Sequence, residues 1–272
     1  MIRIGFLGFG EAGEAFARSL AGRAEMRATD LRAERMAAAE AAGVEAVAPE
    51  GLAEADWLIS AVTADASLTA LEGQAEHLRP GQLVIDINSV SPVRKRASRA
   101  LAEGRGASYL DMAVMAPVHP RGHATPVLVA GPAPEAELTE LGFDWRSVGA
   151  EPGQATAIKM VRSLFVKGLE AITVETLLAA EASGCAEEIL ASLGKSYPGL
   201  GFPGLADYQF ERTLVHGARR AAEMRESAAT IDELGLTGAL AAAIAEVQER
   251  QARAQVASDA PLADRLAARL KP

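Results

Sequence analysis

The chain opens with a short apolar segment that runs straight into a glycine-rich turn. Ile2, Ile4 and Phe6 alternate with other residues, and the turn Gly8-Phe-Gly-Glu-Ala-Gly13 follows at once. Alternating apolar residues predict a buried strand, and the apolar residues after the turn recur at the spacing of a helix face. A strand, a Gly-x-Gly-x-x-Gly turn and a helix in this order predict the first unit of a dinucleotide-binding α/β sheet.

Each glycine of the turn has its own steric reason. Gly8 permits the tight turn that leaves the strand, Gly10 lets the backbone approach a pyrophosphate, and Gly13 lets the helix pack closely on the sheet. The N–H groups at the start of the helix then face the phosphates. We therefore predict a cofactor-binding loop made of Gly8, Phe9, Gly10, Glu11, Ala12 and Gly13.

A carboxylate closes the next apolar segment. Asp30 lies 17 residues beyond Gly13, about where an acidic residue hydrogen-bonds the adenosine ribose in such folds. Its negative charge would repel a 2′-phosphate, which favours NAD over NADP. Arg32 and Arg35 are close enough in sequence to offer a phosphate a counter-charge, so NADP stays open. A helix N-cap is a second role for Asp30 and is compatible with the first.

Length, charge and cysteine content bound the class of protein. The 272 residues suffice for two domains, and the net charge of -9 argues against nucleic acid or an anionic membrane as a partner. No apolar run reaches the roughly 20 residues of a membrane helix. The single cysteine, Cys185, excludes an intramolecular disulfide. Because the first residues predict a strand rather than a signal peptide, we expect a cytoplasmic protein that acts on a small-molecule substrate.

Strand and helix patterns alternate through residues 1–152, which predicts a Rossmann-type, doubly wound and mostly parallel sheet. Beyond the first two strands, the predicted strands cover residues 57–62, 83–87, 109–114 and 126–130, with a helix over 66–78. Ligands bind such sheets at the carboxyl ends of the strands. The residues predicted at those ends are Thr63 and Asn88 for the cofactor, Ser89 for catalysis and Met115 for the substrate.

The chain changes character after residue 152. Residues 153–272 are rich in Ala, Leu and Glu at helical spacing, with a long first helix over 156–182 and a break over 196–204. No strand pattern is convincing there, so we predict an all-helical second domain. Its apolar content exceeds what a small bundle needs, which indicates a homodimer formed through these helices, with a self-contained bundle as the alternative.

Four segments together resemble the β-hydroxyacid dehydrogenase and 6-phosphogluconate dehydrogenase superfamily over nearly the whole chain. They are the glycine turn, Asp86-Ile-Asn-Ser-Val-Ser-Pro92, Asp111-Met-Ala-Val-Met115 and Gly153-Gln-Ala-Thr-Ala-Ile-Lys159. The resemblance implies an NAD(P)-dependent oxidoreductase that interconverts a small hydroxy compound and its carbonyl, with a hydroxy acid as the favoured substrate. The C-terminal half is most similar to a poorly characterised bacterial branch.

In that superfamily a lysine at the position of Lys159 is the general acid/base. The chemistry makes the same demand, because an alkoxide that develops as hydride departs needs an acceptor for its proton. A lysine can serve near neutral pH when burial or a neighbouring cation lowers its pKa, and Arg162 and Lys167 are the candidate neighbours. Ser89 matches a family threonine between nicotinamide and substrate, while Ser91 is expected to cap the helix that Pro92 begins.

Departures from the family pattern concern the substrate. Met115-Ala-Pro replaces the Ser-Gly-Gly that anchors a carboxylate in other members. Ser163 replaces the family asparagine four residues after the lysine, as a shorter hydrogen-bonding group, and we count it with Lys159 and Ser89 among the catalytic residues. The family's Lys–Asp pair is absent near His216. Substitute anchors are Arg162, Lys167 and His216, with Arg219 and Arg220 beside it; a solvated charged helix is the equally good alternative for His216. The substrate is therefore expected to differ from those of the well-known members.

Other functional classes stay open. An imine reductase of the same architecture is the nearest enzymatic rival, although those relatives commonly carry Asp or Tyr at the position of Lys159. A protein that binds NAD(H) without turnover is the third possibility. His119 and His123 lie four residues apart, but Pro120 and Gly122 predict a loop without a third ligand, so we expect no metal site. That loop is expected either to line the substrate or to be plain surface.

Overall fold

The computed structural model describes residues 1–270, which form two compact units that divide between Met160 and Val161. The strands are β1 (Ile2–Leu7), β2 (Ala24–Thr29), β3 (Glu45–Ala46), β4 (Trp57–Ser60), β5 (Leu83–Asp86), β6 (Ser108–Val114), β7 (Val127–Ala130) and β8 (Trp145–Gly149). The helices are α1 (Glu11–Ser19), α2 (Ala33–Ala41), α3 (Ser67–Gln74), α4 (Pro92–Glu103), α5 (Glu135–Leu141), α6 (Gln154–Ala182), α7 (Ala186–Ser196), α8 (Gly204–Glu233), α9 (Ala239–Ala252) and α10 (Leu262–Leu270).

The first unit is built on one eight-stranded sheet in the order β3-β2-β1-β4-β5-β6-β7-β8. The first six strands are parallel, β7 runs antiparallel to β6, and β8 pairs in parallel with β7. The chain leaves β1 toward β2 and β3 and then returns to β4 on the other side. Such a reversal opens a crevice at the carboxyl ends of β1 and β4, which is where doubly wound sheets bind their ligands.

Burial of one face of β1 and one side of α1 explains the first strand–turn–helix unit. Ile4 and Phe6 of β1 are fully buried, as are Phe16 of α1 and the residue that follows the helix, Leu20. These side chains belong to one apolar cluster on a single face of the sheet, so α1 is held against the sheet by its apolar side. That packing fixes where the N-terminus of α1 lies relative to β1, and hence the shape of the glycine turn between them.

The predicted Rossmann-type sheet followed by helices is confirmed, with differences at the margins. The strand predicted over 57–62 ends at Ser60, and the helix predicted over 66–78 is α3 followed by a short 3-10 turn, Ala75–His77. The prediction omitted β3, which has two residues, and β8, whose side chains are half-buried or exposed. Both lie at the sheet's two edges, where a strand has one neighbour and shows little apolar periodicity.

In the described part of the second unit all regular structure is helical, as predicted. The long helix is α6, and the predicted break falls between α7 and α8, around a short 3-10 turn, Pro198–Leu200. An apolar core gathers residues from α6, α8 and α9, with Phe210 and Met224 fully buried. Within residues 1–270 no helix combines the length and apolar character that crossing a membrane requires.

Candidate functional site

The predicted cofactor residues line one edge of the sheet. The glycine turn follows β1, Thr63 follows β4, and Asn88 with Ser89 follow β5. Because these three strands are parallel neighbours, their carboxyl ends meet at the same edge. The first unit therefore brings together residues that lie up to 81 positions apart in the chain, from Gly8 to Ser89.

The glycine turn has room for a ligand at one position and none at the other two. A Cβ at Gly8, whose φ is +91°, would lie 2.6 Å from Val62 Cγ1, and a Cβ at Gly13 would lie 2.7 Å from the Gly8 carbonyl oxygen. At Gly10, by contrast, no heavy atom comes within 4 Å of that point. Gly8 and Gly13 are thus required by the fold itself, whereas Gly10 keeps an approach to the backbone open, as a pyrophosphate would need.

The N-terminus of α1 offers donors to that opening. Gly10 is the N-cap residue and, as a glycine, has no side chain that could cap the helix. Its carbonyl is the first intrahelical acceptor and accepts the N–H of Glu14 at 2.9 Å. The N–H groups of Glu11, Ala12 and Gly13 precede any intrahelical acceptor, and the helix dipole adds positive potential there. These residues fit a dinucleotide's phosphates through their backbone; the Glu11 side chain is exposed.

Asp30 joins the glycine turn to the end of β2. Its Oδ2 accepts the N–H of Phe9 at 2.8 Å, and its Oδ1 accepts the N–H of Arg32 at 3.0 Å. Burial alone would raise the pKa of the Asp30 carboxyl, but these hydrogen bonds and the Arg32 guanidinium hold the pKa below its usual value. Asp30 is therefore ionised at neutral pH. The Phe9 side chain is fully buried and packs edge-on against Phe6, so it serves the core rather than a ligand.

Asn88 holds two strand ends together. Its Oδ1 accepts the N–H of Val62 at 2.8 Å, its Nδ2 donates to Ser60 Oγ at 2.9 Å, and its own N–H donates to Asp86 Oδ1 at 2.8 Å. The side-chain amide is thus used within the protein, which orients the loops after β4 and β5. Thr63, in the first of these loops, is exposed at the same edge.

Lys159 and Ser89 meet in the first unit. Lys159 Nζ donates to Ser89 Oγ at 2.6 Å, and both side chains are partly buried. The two residues are 70 positions apart, so only the fold brings them together. Ser91 occupies the N-cap position of α4 as expected, without a side-chain hydrogen bond to the helix amides. The pair thus places an amine, which can accept or donate a proton, next to a hydroxyl at the carboxyl end of a strand.

A buried ionic cluster in the same unit was not predicted from the sequence. Lys95 is 0 % exposed; its Nζ donates to the Asp86 carbonyl at 2.6 Å and lies 3.0 Å from Asp86 Oδ1 and 3.3 Å from Asp111 Oδ1. The last contact is ionic rather than a directed hydrogen bond. Tyr109 donates its hydroxyl to Asp86 Oδ2 at 2.6 Å, and burial together with the Asp86 charge raises the pKa of Tyr109 well above its usual value.

The sequence signal for this cluster was indirect. Asp86 and Asp111 each begin a segment that carries the family resemblance, which marks them as special. Lys95 lies in the run Arg94-Lys-Arg96, which suggests a basic surface instead. Its burial follows only from the meeting of β5 and β6, where the two carboxylates converge.

In the second unit, Ser163 is a hydrogen-bond partner of Lys167. It is buried, and Lys167 Nζ donates to its Oγ at 3.1 Å. Lys167 in turn lies 2.7 Å from Glu223 Oε2 of α8, so it is an ion-paired residue that links two helices. Lys167, proposed above as a substitute substrate anchor, thus already has a carboxylate partner within the protein. Arg162 is exposed on α6.

The charged stretch of α8 forms interhelical pairs. Arg220 pairs with the buried Glu170 of α6, whose Oε2 also accepts from Gln248 at 2.9 Å. His216 Nε2 lies 2.7 Å from an Arg212 nitrogen. Arg220 and Glu223 are thus paired with residues of α6, whereas Arg219 is exposed and His216 contacts a residue of its own helix. Met115, in the first unit, is half-buried and donates its N–H to the Pro126 carbonyl at 2.9 Å.

Of the two histidines in the loop over residues 119–123, one is packed inside the protein. His123 is buried, with Nδ1 2.8 Å from Ser19 Oγ and Nε2 2.9 Å from the Leu141 carbonyl oxygen. His119 is exposed. Over residues 1–270 no group of three or more His, Cys, Asp or Glu side chains is arranged to hold a metal ion.

Comparison with known proteins identifies two domains in the chain. Residues 3–143 match the NAD binding domain of 6-phosphogluconate dehydrogenase, and residues 180–251 match a domain of unknown function, DUF1932. Among solved structures, a conserved hypothetical protein from Sinorhizobium meliloti is 37% identical, with 99% of this chain and 97% of that chain covered and a TM-score of 0.76.

The descriptions of two further structures refer to dehydrogenases. A conserved protein of unknown function, MTH1747, described as structurally similar to 3-hydroxyacid dehydrogenases, is 29% identical, covers 92% of this chain and 98% of its own, and gives a TM-score of 0.71. A 3-hydroxyisobutyrate dehydrogenase from Mycobacterium tuberculosis is 23% identical over 92% of this chain and 93% of its own, with a TM-score of 0.72. At that identity the second likeness concerns the fold alone.

Proposed function

This chain belongs to the family defined by the NAD binding domain of 6-phosphogluconate dehydrogenase, and from that premise we propose that it is an oxidoreductase interconverting a small hydroxy acid and its carbonyl. The observation that carries the proposal is the 2.6 Å hydrogen bond between Lys159 Nζ and Ser89 Oγ. It joins a proton-exchanging amine to the strand edge at which the glycine turn lies. The description of MTH1747 as similar to 3-hydroxyacid dehydrogenases supports the same class of substrate.

Lys159 is proposed to act as the general acid/base. A nicotinamide cofactor bound at the glycine turn would supply the hydride acceptor. In the oxidation, Lys159 Nζ would accept the hydroxyl proton as the hydride leaves the carbinol carbon and the C=O bond forms. In the reverse direction the Lys159 ammonium returns that proton to the carbonyl oxygen. Ser89 Oγ holds the amine in place, and in this proposal its hydroxyl would hydrogen-bond the same substrate oxygen.

NAD is the proposed cofactor. The backbone N–H groups at the start of α1 and the open approach at Gly10 suit a pyrophosphate. The ionised Asp30 suits the 2′- and 3′-hydroxyls of a ribose and disfavours a 2′-phosphate. Arg32 is engaged with Asp30, at 3.4 Å between Nε and Oδ1, which reduces what it can offer to a phosphate.

Nicotinamide absorbance tests the proposal on a panel of hydroxy acids, polyols and cyclic imines. We expect turnover of a hydroxy acid, and Lys159→Ala should lower kcat by about 100- to 10,000-fold, the range that a general acid/base contributes. Lys195→Ala is the matched control, since Lys195 is an exposed lysine on α7. Cofactor binding, followed by fluorescence, should be the same in both variants.

Other results would replace the proposal. Imine reduction that survives Lys159→Ala would indicate an imine reductase. Tight NADH binding without turnover of any panel member would indicate a nucleotide-binding protein without catalysis. Wild-type turnover of a hydroxy acid by a folded Lys159→Ala variant would remove Lys159 from the mechanism.

We also propose that two copies associate through α6 and α9 of the second unit. The buried side of α6 carries polar residues such as Ser163 and Lys167, while Phe165 on the outer side is 74% exposed. Phe165 borders an apolar groove of about 650 Å³. The other large exposed apolar side chains along it are Val161, Ile172 and Leu240. A twofold dimer would bring this groove against its own copy and cover it.

Light scattering across a range of protein concentrations tests the association. Phe165→Glu should convert the dimer to a monomer, because a carboxylate would be buried without a partner. Leu234→Glu is the control, since Leu234 is comparably exposed but lies outside the groove. A dimer that persists in Phe165→Glu would exclude this face as the interface.

A further inference from the structure

The first turn of α6 is held by a carboxylate from the sheet. Asp111 of β6 is fully buried, and its Oδ2 accepts the N–H groups of both Gly153 and Thr156, each at 3.0 Å. A carboxylate at this position satisfies helix N–H groups that otherwise lack an intrahelical acceptor, and it is favoured by the helix dipole. Asp111 therefore fixes where α6 starts, five residues before Lys159.

A second contact ties the same turn to the loop that contains Ser89. Thr156 is 1 % exposed, and its Oγ1 donates to the Val90 carbonyl at 2.6 Å. Three residues further along the helix, Lys159 donates to Ser89. Residues three apart lie on one side of a helix, so the two hydrogen bonds run side by side between α6 and residues 89–90.

The buried ionic cluster restrains the groups that α6 contacts, namely the Asp111 carboxylate and the loop that contains Ser89. Lys95 Nζ binds the Asp86 carbonyl and lies close to the second oxygen of Asp111, which restrains that carboxylate from turning away. Asp86 Oδ1 also accepts the N–H of Asn88, next to Ser89. One network of hydrogen bonds and ionic contacts thus reaches both the helix that carries the amine and the loop that carries the hydroxyl.

We propose that Thr156 and Asp111 are positioning residues that set the placement of Lys159 Nζ against Ser89, an inference that rests on the proposed role of Lys159. Neither residue exchanges a proton with substrate. Their part is to keep the amine within the narrow range of positions that proton transfer requires, where a displacement of about 1 Å can cost on the order of 100-fold in rate.

The test compares Thr156→Val with Thr156→Ser. Valine has the same shape without the hydroxyl, and serine restores the hydroxyl. Thr230→Val is the matched control: Thr230 is equally buried, its hydroxyl also donates to a backbone carbonyl, that of Glu226 at 2.8 Å, and it belongs to α8. For each protein we would measure the rate at which trace acetic anhydride acetylates Lys159, by peptide mass spectrometry, relative to the exposed Lys195.

Acetylation reports the placement of the amine without any substrate. We expect Lys159 to be acetylated several-fold faster in Thr156→Val, because its amine is released from Ser89, and at the wild-type rate in Thr156→Ser and Thr230→Val. In turnover, Thr156→Val should lower kcat by about tenfold or more with the KM for cofactor unchanged, and serine should restore it. Acetylation and kcat that are both unaffected in Thr156→Val would overturn the proposal.

Asp111→Asn provides a second variant. An asparagine that keeps its single acceptor oxygen on the helix N–H groups places its NH₂ donor beside the Lys95 ammonium, so acetylation of Lys159 should rise in the folded variant. The two proposals can fail separately. Faster acetylation in Thr156→Val together with no turnover by the wild-type protein would leave the positioning intact and remove the oxidoreductase function.

Discussion

Lys95 Nζ lies 3.0 Å from Asp86 Oδ1, and neither side chain is exposed to solvent beyond 2%. The attraction between a buried ammonium and two carboxylates offsets the cost of removing these charges from water. Removal of one partner leaves a charge without a partner in a medium of low dielectric. Lys95→Met should therefore lower the free energy of unfolding by about 3–5 kcal/mol. Arg99→Met on the same helix should change it little, because Arg99 and its partners Glu103 and Glu151 are solvent-accessible.

Urea unfolding of both variants would measure this difference. The chain has two tryptophans, Trp57 in β4 and Trp145 in β8, so their fluorescence reports the first unit. A loss in Lys95→Met no larger than in Arg99→Met would mean that the buried cluster contributes no net stability.

Asp30 should discriminate between the two nicotinamide dinucleotides. Asp30→Ala removes a charged acceptor for the ribose hydroxyls, so the Kd for NAD should rise about tenfold or more, while the Kd for NADP should change less because a repulsive charge is lost as well. Isothermal titration with each nucleotide measures the two changes. Asp56→Ala is the control. Asp56 also accepts a hydrogen bond from a backbone N–H, that of Arg3, but it precedes β4 and so lies at the amino ends of the strands, away from the glycine turn.

Equal losses for NAD and NADP in Asp30→Ala would argue differently. Asp30 also accepts the N–H of Phe9, so such a result would assign it the shape of the glycine turn rather than the ribose.

His123 should make the stability of the first unit depend on pH. Burial and the nearby Arg23 lower its pKa below the ordinary 6.5, although the Leu141 carbonyl opposes them. As pH falls below about 6.5, the unfolded chain takes up a proton that the folded state refuses, so stability declines until the lower folded pKa is reached. The slope in that window is at most about 1.4 kcal/mol per pH unit.

Tryptophan-monitored unfolding between neutral and mildly acidic pH checks this expectation. His123→Gln should flatten the pH dependence, and His119→Gln, which changes an exposed ring four residues away, should leave it as in the wild type. Identical profiles for wild type and His123→Gln would assign the acid sensitivity to other groups.

Features with a local periodic signal were predicted from the sequence. The glycine turn between β1 and α1, the long helix α6 and the helical second part all carry repeats of two or 3.6 residues, or glycines at fixed spacing. The family resemblance marked Lys159 and Ser89, and the fold brings them together. The edge strand β8 has no such repeat because it is half-exposed, and it forms through pairing with β7.

Features that depend on convergence from several elements were not predicted. Lys95 is buried only because Asp86 and Asp111 reach it from neighbouring strands. In the second unit, Lys167 and Arg220 resembled substrate anchors, but each has a carboxylate partner on a facing helix. A charge along a helix gives no local sign of whether solvent, substrate or an opposite charge will meet it.

Gly10 and Gly8 should respond in opposite ways to the same change. At Gly10 a methyl group meets no protein atom within 4 Å, so Gly10→Ala should fold with unchanged stability yet raise the Kd for NAD about tenfold or more, because the methyl occupies the approach of the pyrophosphate to the backbone. At Gly8 the methyl would lie 2.6 Å from Val62 in a left-handed backbone, so Gly8→Ala should lose stability by at least about 1 kcal/mol.

Gly73→Ala separates these two effects. Gly73 lies in α3 with open space around it, so alanine there should add about 0.5–1 kcal/mol to the free energy of unfolding and leave NAD binding untouched. Urea unfolding and isothermal titration on the three variants give both quantities. Undiminished NAD affinity in Gly10→Ala would argue against a close approach of the pyrophosphate to the backbone at Gly10.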